Sequence, residues 1–559
     1  MCGIFSIINH TQVSCEKEEY IKNNFMKGKK RGPEYSKIQN REEMYNNILL
    51  GFHRLAINGL DEESHQPIEI DNYSLICNGE IYNYKELFKT MNITPKTNSD
   101  CEVIIHLVKR YGIEETLDLL DGVFAFVLLD KNSNKIYIAR DIYGVRPLFM
   151  GFADETKETC CFASEIKMLN GFCHEITPFL PGTYSEIIYS IDENYSWWDY
   201  TIKNRHYKSG YITSSYCLTA KNKDKFFKEC CETIKNSLIQ AVKKRVENTD
   251  RPIACLLSGG LDSSLITSLV NYIKKDSYNK LETYSIGFKG SQDLKYARIV
   301  ADYLDTKHHE IIVEEKDFLD AIPKVIKVIE SYDTTTVRAS VGNYLVSKYI
   351  KEHSDAKVIF NGDGSDEITG GYLYFHEAPD NIAFDKECKR LLKDIHLFDV
   401  LRSDRSIASN GLEARTPFLD KTFVANYLSI PLELRNHRIN DKCEKYLLRE
   451  AFKDFLPDEV LYRTKEAFSD GVSKQTRSWY EIIQEHVEKQ NVDTSKIYNH
   501  NQPTTKEQYY YRELFEKYYN GCEKVIPYFW MPRFVEATDS SARTLNIYKK
   551  SNSNINGVL

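Results

Sequence analysis

IACLLSGGLDSSLITSLVNYI, residues 253–273, joins an apolar run, two adjacent glycines and an amphipathic stretch without a break. Five apolar residues bounded by turn formers predict a buried strand, and from Leu261 onward the apolar residues keep helical spacing. Gly259 and Gly260 thus fall where backbone can approach a ligand closely, and the N–H groups of the loop gather at the positive end of the helix. Ser258, Ser263 and Ser264 add hydroxyl donors. The segment reads as an anion cradle. It lacks the lysine of GxxxxGK[ST], which excludes a Walker loop.

Working outward, Phe226, Phe227, Cys230, Cys231, Ile234, Leu238 and Val242 mark an amphipathic helix before the strand. After the loop helix, Tyr284, Ile286 and Phe288 alternate as a strand, Leu294, Ala297, Ala301 and Leu304 mark a helix, and HEIIV (309–313) and KVIF (357–360) read as strands. Strands alternating with helices predict a parallel α/β sheet, with ligands beyond the carboxyl ends of its strands. NGDGSDE, residues 361–367, leaves KVIF at that edge. Its Asp363, Asp366 and Glu367 are hard oxygen ligands of the kind Mg²⁺ takes alongside phosphates. A Rossmann reading fails, because the third glycine is missing. Helical patterns dominate from about 385 to 519, and the polar stretch from 536 reads as a poorly ordered tail.

The first 200 residues have another texture. GFHRLAI (51–57), YSLICNGEIY (73–82), VFAFVLLD (123–130) and KIYIARD (135–141) read as strands, with one helix from Asp100 to Tyr111. From Tyr200 to Asp224 the chain is polar and without periodicity, as a linker would be. The organisation predicted is a domain at 1–200, a linker at 201–224, a second domain at 225–535 and a tail at 536–559. A length of 559 residues exceeds a single ordinary core. With 81 acidic against 74 basic residues and a net charge of −7, the chain does not read as a binder of nucleic acid backbones. No apolar run approaches the roughly 18 residues of a membrane span. The opening MCGIFSIINH carries no basic leader, so a cytoplasmic location is expected. Fourteen cysteines without a CxxC pair read mostly as buried thiols, not as a zinc or redox site.

Cys2 follows the initiator methionine, whose removal would set a thiol beside a free α-amine titrating near pH 8, so that one residue carries nucleophile and base. Within NGEIYN (78–83), Asn78 offers an amide donor and Gly79 a backbone N–H, the two parts of an oxyanion hole. Glu80 and Asp100 can hold an ammonium group, and Arg54 can grip a carboxylate. MCGIF, RGPE (31–34), HRLAI (53–57), NGEIYN and SDCEV (99–103) together resemble class II glutamine amidotransferases. The resemblance implies that Cys2 is the nucleophile, Asn78 and Gly79 the oxyanion hole and Arg54 the carboxylate clamp. Glu80 and Asp100 would meet the amino end of glutamine, and Leu55, Ala56, Ile57 and Asn58 would line its pocket. RGPE would form a loop over bound glutamine.

SGGLDSS resembles the pyrophosphate loop of ATP pyrophosphatases, which leave AMP on their substrate. Both halves on one chain resemble glutamine-hydrolysing asparagine synthetases, a likeness that continues through YDTTTVRAS (332–340), GGYLYFHEAP (370–379), EARTPFLD (413–420), KEAFSDGV (465–472) and FWMPRFVEATDSSARTL (529–545). It implies an N-terminal-nucleophile αββα sandwich followed by a parallel-sheet adenine-nucleotide α-hydrolase-like domain with a helical C-terminal extension, in a homodimer. The implied reaction forms β-aspartyl-AMP and pyrophosphate from aspartate and ATP, then asparagine and AMP when ammonia attacks. In it Leu257, Ser258, Gly259, Gly260, Leu261, Asp262, Ser263, Ser264, Ile286, Asn361 and Gly362 would bind ATP, and Asp262, Asp366 and Glu367 would act through Mg²⁺. Thr335, Arg338 and Lys465, with Arg415 in the same region, would stabilise charge on phosphate and acyl oxygens. Ammonia would cross between the domains by a buried, largely apolar passage, which implies extensive contact between them. The usual SGEGSDE is NGDGSDE here, so Asp363 stands one methylene short of the Glu associated with forming and consuming the acyl-adenylate, and Ala467 stands where Gln is common.

Overall fold

Two antiparallel six-stranded sheets build the N-terminal half in the computed structural model, which describes residues 1–8, 15–40, 48–157, 159–191, 198–207, 223–275, 279–440 and 442–546. In one sheet Gly3–Ile8 lies between Ile48–Arg54 and Cys160–Ala163; in the other Tyr73–Ile81 lies between Ile68–Ile70 and Gly122–Asp130. Alternation in these strands sends Ile4, Ile8, Leu50 and Phe52 from the first sheet against Ile76, Val127, Ile138 and Ile187 from the second. On the outer face of the first sheet, Ile21 and Phe25 of the helix Cys15–Met26 pack near Phe5 and Ile7. On the outer face of the second, the helices Tyr84–Met91, Val103–Tyr111 and Ile113–Leu119 cover Leu75, Cys77, Phe126 and Leu128. This is the expected αββα sandwich.

Residues 201–206, predicted as linker, are part of this sandwich. Trp198–His206 pairs antiparallel with Thr183–Ile191, from Ile191 opposite Trp198 to Thr183 opposite His206. It is the edge strand of its sheet, and Lys203, Asn204 and Arg205 are exposed. An edge strand is held by main-chain hydrogen bonds on one side and keeps polar side chains in solvent, so its sequence resembles a linker's. The remainder of the predicted linker, 208–222, lies outside the described residues, and the next helix begins at Lys223.

The second half is built on five parallel strands in the order Lys307–Val313, Glu282–Phe288, Ile253–Leu256, Val358–Phe360, Glu413–Arg415. SGGLDSS and NGDGSDE leave the adjacent central strands Ile253–Leu256 and Val358–Phe360 at their carboxyl ends, as the spacing predicts. A helical region follows, through Lys506–Tyr519. The predicted tail is a correction, because its residues 536–546 dock onto this half. Asp539 pairs with Arg338, Ser541 donates to Asp470 at 2.8 Å, and Arg543 holds Glu466 at 2.7 Å. The polarity that reads as a solvated tail serves this packing. Residues 547–559 lie outside the described residues.

The halves share their cores. Phe149, Ile166 and Leu169 belong to one apolar cluster with Ile329, Leu401, Ala408 and Phe515. Leu55, Ile57, Tyr143 and Val145 belong to another with Val358, Phe360 and Leu419. Among the described residues, no helix is long and apolar enough to cross a membrane.

Candidate active sites

Cys2 stands at the mouth of the strand Gly3–Ile8, whose register sets Gly3 opposite His53 and so brings Cys2 beside the end of the strand Ile48–Arg54. The chain turns away after Arg54, and the thiol donates to the Leu55 carbonyl at 3.5 Å. Arg54 is buried and donates to the carbonyl oxygens of Asp61 (2.8 Å) and Gly59; among the described residues it makes no ion pair. Its charge is therefore held in place but not neutralised, the condition of a receptor for a carboxylate. Across the sandwich, both amide atoms of Asn78 are buried without a hydrogen-bond partner. At Gly79 a Cβ would come within 2.7 Å of the Val123 carbonyl, so the neighbouring strand admits only glycine there. Asn58 donates to Glu80 at 2.6 Å, and Asp100 accepts the Ile81 N–H at 2.6 Å. Burial pushes Asp100 up to about 6 and the Cys2 thiol up to about 11. Met1 is buried, and burial lowers its amine to about 6.

The turn after Arg54 is braced from both halves. Glu34 of RGPE accepts from the Ala56 N–H at 2.7 Å. From the second half, Asp250 accepts from the Gly59 N–H at 3.0 Å and its own N–H reaches the Ile57 carbonyl, while Arg251 donates to the Ala56 carbonyl at 2.8 Å and pairs with Glu34. Nothing in the sequence singles out Asp250 or Arg251, which look like ordinary residues ahead of a strand.

The second site is a cavity of about 200 Å³ at the carboxyl edge of the parallel sheet. Leu257, Ser258, Gly260, Leu261, Asp262, Ser263, Ile286, Thr335, Asn361, Gly362, Asp363, Asp366, Glu367 and Lys465 all line it. Gly259 stays behind the wall. Its φ is +71°, and a Cβ there would lie 2.4 Å from the Ala297 nitrogen, so the loop needs glycine to fit against the helix Gln292–Leu304. Ser264 is buried within the first turn of the loop helix and does not reach the cavity surface.

Two basic residues predicted to meet phosphate are placed otherwise. Arg338 is buried in paired contacts with Glu507 (2.9 and 2.6 Å) and Asp539 (2.7 and 2.8 Å), outside the lining. Two carboxylates hold its guanidinium in the wall, which makes it a structural tie. Arg415 ends the edge strand and turns toward the first half, reaching Glu80 at 3.1 Å and Glu413 at 3.0 Å. One cation of the lining that sequence reading missed is Lys445. It is buried, lines the cavity, and sits 2.5 Å from Asp262 and 2.6 Å from Asp366. In CEKYLLRE it looks like any surface lysine beside a helix.

Lys465 lies 2.5 Å from Asp366, and although burial opposes it, the two lysines hold that carboxyl at about 2. Burial raises Asp363, with Arg402 at 3.1 Å pulling it back. Burial also keeps Glu367 well above its ordinary value, with Asp399 and Asp366 adding to the effect. Asp262 Oδ1 and Glu367 Oε2 are buried without hydrogen-bond partners. Among the described residues there is no cluster of three or more His, Cys, Asp or Glu able to hold a metal unaided. These two carboxylate oxygens fit Mg²⁺, which takes few protein ligands and completes its shell with phosphate and water, whereas Asp366, the third residue expected to act through the metal, is held by Lys445 and Lys465.

The comparisons agree with this two-site layout. The family model described as "Glutamine amidotransferase domain" matches residues 1–179, and that described as "Asparagine synthase" matches 233–384 and 379–543. The chain is 43% identical to the asparagine synthetase [glutamine-hydrolyzing] of Gallus gallus, covering 99% of this chain and 100% of that protein. It belongs to the glutamine-hydrolysing asparagine synthetases. Identity to the Homo sapiens asparagine synthetase is 42%, with the same coverage. Among solved structures, the glutamine phosphoribosylpyrophosphate amidotransferase of B. subtilis is similar at a TM-score of 0.30 and 18% identity, over 51% of this synthetase and 66% of that chain. The asparagine synthase match assigns ATP use to the second half.

Proposed function

We propose that this synthetase makes asparagine from aspartate, with ATP activating the acid and glutamine supplying nitrogen. With Met1 removed, the α-amine of Cys2 takes the thiol proton and the thiolate attacks the carboxamide of glutamine; the C–N bond breaks, ammonia leaves with the proton that the amine returns, and water hydrolyses the γ-glutamyl thioester to glutamate and the free thiol. Arg54 holds the substrate carboxylate, and Asp100 and Glu80 face its ammonium. Asn78 and the Gly79 N–H receive the oxyanion of the tetrahedral intermediate. The unpartnered amide of Asn78 supports that role, because a buried polar group without a partner is costly unless a ligand supplies one.

In the cavity, the aspartate β-carboxylate attacks the α-phosphate of ATP, releasing pyrophosphate and leaving β-aspartyl-AMP. SGGLDSS cradles the phosphates at the start of its helix. Lys445 and Lys465 stand where phosphate charge would build, and Thr335 aims an unpartnered buried hydroxyl into the same space. Asp262 and Glu367 would hold Mg²⁺, which supplies charge neutralisation at the phosphates. Asp363 orients ammonia for attack on the acyl carbon, and asparagine and AMP leave. The apolar cluster running from Leu55, Ile57 and Val145 to Val358 and Phe360 supports a dry crossing between the sites. The reading includes the homodimer, checked by light scattering, and a cytoplasmic location.

Its strongest support is the pairing of Cys2, set beside the turn after Arg54, with a cavity at the carboxyl edge of the parallel sheet, on a chain matched end to end by asparagine synthetases. The test is product analysis with aspartate, ATP and Mg²⁺, offering glutamine or ammonium. Asparagine and AMP in equal amounts from both donors, and from ammonium alone after Cys2→Ala, is the expected result. Glutamate without asparagine would overturn the assignment of the second site.

A further inference from the structure

Arg31, the first residue of RGPE, is fully buried, and its Nε donates to the carbonyl oxygen of Cys2 at 2.8 Å. Its other nitrogens grip Asp404 with two hydrogen bonds, at 2.6 and 3.1 Å, and one also reaches Glu165 at 3.4 Å. Asp404 belongs to the other half of the molecule, on the helix Asp399–Ala408. A guanidinium held by a bidentate carboxylate is fixed in plane and orientation. The main chain of the nucleophile is therefore set by a residue of the synthetase half.

The same helix meets the second site. Ser403 accepts a hydrogen bond from Asn361 at 2.6 Å, and Arg402 reaches Asp363 at 3.1 Å. At about 100° per residue, Arg402 and Asp404 point about 200° apart, so the helix stands between the two sites and presents one side to each. The next residue, Arg405, pairs with Glu330, which also accepts from the N–H groups of Ile166 and Lys167 and lies 3.8 Å from the Lys167 ammonium in the first half. The middle of the helix is thereby tied to the acidic loop through Arg402 and Ser403 and to the amidotransferase half through Asp404 and Arg405.

We propose that Asp404 is a positioning residue for glutamine hydrolysis: through Arg31 it sets the main chain of Cys2, and its helix carries the state of the Asn361–Asp363 loop to the nucleophile. This rests on the reading of Cys2 and of the ATP cavity given above. Ligands that engage Asn361 and Asp363 compete with Ser403 and Arg402 for those side chains and shift the helix that holds Arg31. Glutamine hydrolysis then runs faster when ATP and aspartate occupy the cavity, and by linkage glutamine at Cys2 tightens their binding.

The experiment measures glutamate release by the full-length chain with and without ATP, Mg²⁺ and aspartate, together with ammonium-dependent asparagine formation and the rate of Cys2 alkylation by iodoacetamide. Asp404→Asn keeps the shape but weakens the bidentate grip. It is expected to lower kcat for glutamine hydrolysis about tenfold, the loss of one charged hydrogen bond, with KM little changed and altered Cys2 alkylation, while ammonium-dependent synthesis stays within about twofold. Ser403→Ala leaves Arg31 and Asp404 untouched; with the contact to Asn361 already broken, it is expected to raise hydrolysis without ligands toward the stimulated rate and to lose further stimulation by ATP and aspartate. An equal fall of glutamine- and ammonium-dependent synthesis in Asp404→Asn would reduce Asp404 to a structural role, and full stimulation in Ser403→Ala would remove the transmission. Wild-type hydrolysis with an unaffected Asp404→Asn overturns this proposal alone, whereas absence of glutamate release from the wild type overturns the Cys2 reading with it.

Discussion

Gly259 and Asp100 show how differently single residues can be constrained. Gly259 has a positive φ and no room for a Cβ against Ala297, so Gly259→Ala combines backbone strain with a backbone clash. A loss of about 1–3 kcal/mol is expected from the strain alone, read as a lower urea midpoint, and an unchanged midpoint would show that the loop can move away from its backing helix. Asp100 is constrained by burial. In the folded chain it keeps its proton up to about pH 6, against an ordinary value of 3.8. Between those values the folded state binds more protons than the unfolded one, so this group's contribution to stability falls as pH rises through the window. For glutamine binding the sign is opposite, because only the ionised carboxylate attracts the substrate ammonium. KM for glutamine should therefore fall as pH rises through about 6, and Asp100→Asn should remove that step while flattening the stability loss; a step unchanged in Asp100→Asn would assign it to another group. At this scale the sequence was informative about glycines and loop acids, whose chemistry is tied to motifs. It was silent on Lys445 and misleading on Arg338, because whether a basic side chain meets phosphate or carboxylate depends on what folds against it.

Elements with a strong apolar period were legible: the strand, loop and helix at 253–273 and the alternation after it have the predicted order and edge. Polar elements were not. Residues 201–206 of the strand Trp198–His206 and residues 536–546 both read as unstructured, since one is held by main-chain pairing and the other by side-chain ties, and neither leaves a periodic apolar trace. The second case has a functional consequence. Arg543 holds Glu466, next to Lys465, Ser541 holds Asp470 in the same segment, and Ser540, Ala542 and Leu545 line the cavity. Removing residues 536–559 should raise KM for ATP or aspartate about tenfold or more, the equivalent of one lost charged hydrogen bond, with glutamate release from glutamine within about twofold of the intact chain. Unchanged synthesis by the shortened chain would show that the KEAF segment keeps its place unaided.

At the scale of the whole molecule, the expectation of extensive contact between the halves came from chemistry, since ammonia set free in water would be protonated and lost. The structure answers with joined cores and with buried charge between them: Arg31 with Asp404, Glu80 with Arg415 and Arg405 with Glu165. Separating the halves would expose the apolar faces of two clusters and break these three buried pairs, leaving Glu80 without its cation, and breaking a buried pair costs about 3–5 kcal/mol. Neither half then has a folded state of its own that survives loss of the other. Thermal unfolding should accordingly be a single calorimetric transition, with glutamate release from glutamine and ammonium-dependent synthesis failing at the same temperature. Arg415→Met tests the origin of that coupling, because it leaves Glu80 buried without its cation and leaves the ATP cavity, whose lining lacks Arg415, in place. It should lower the shared transition as a whole; a split into two transitions would instead show that the halves fold independently and that the ion pairs only align them.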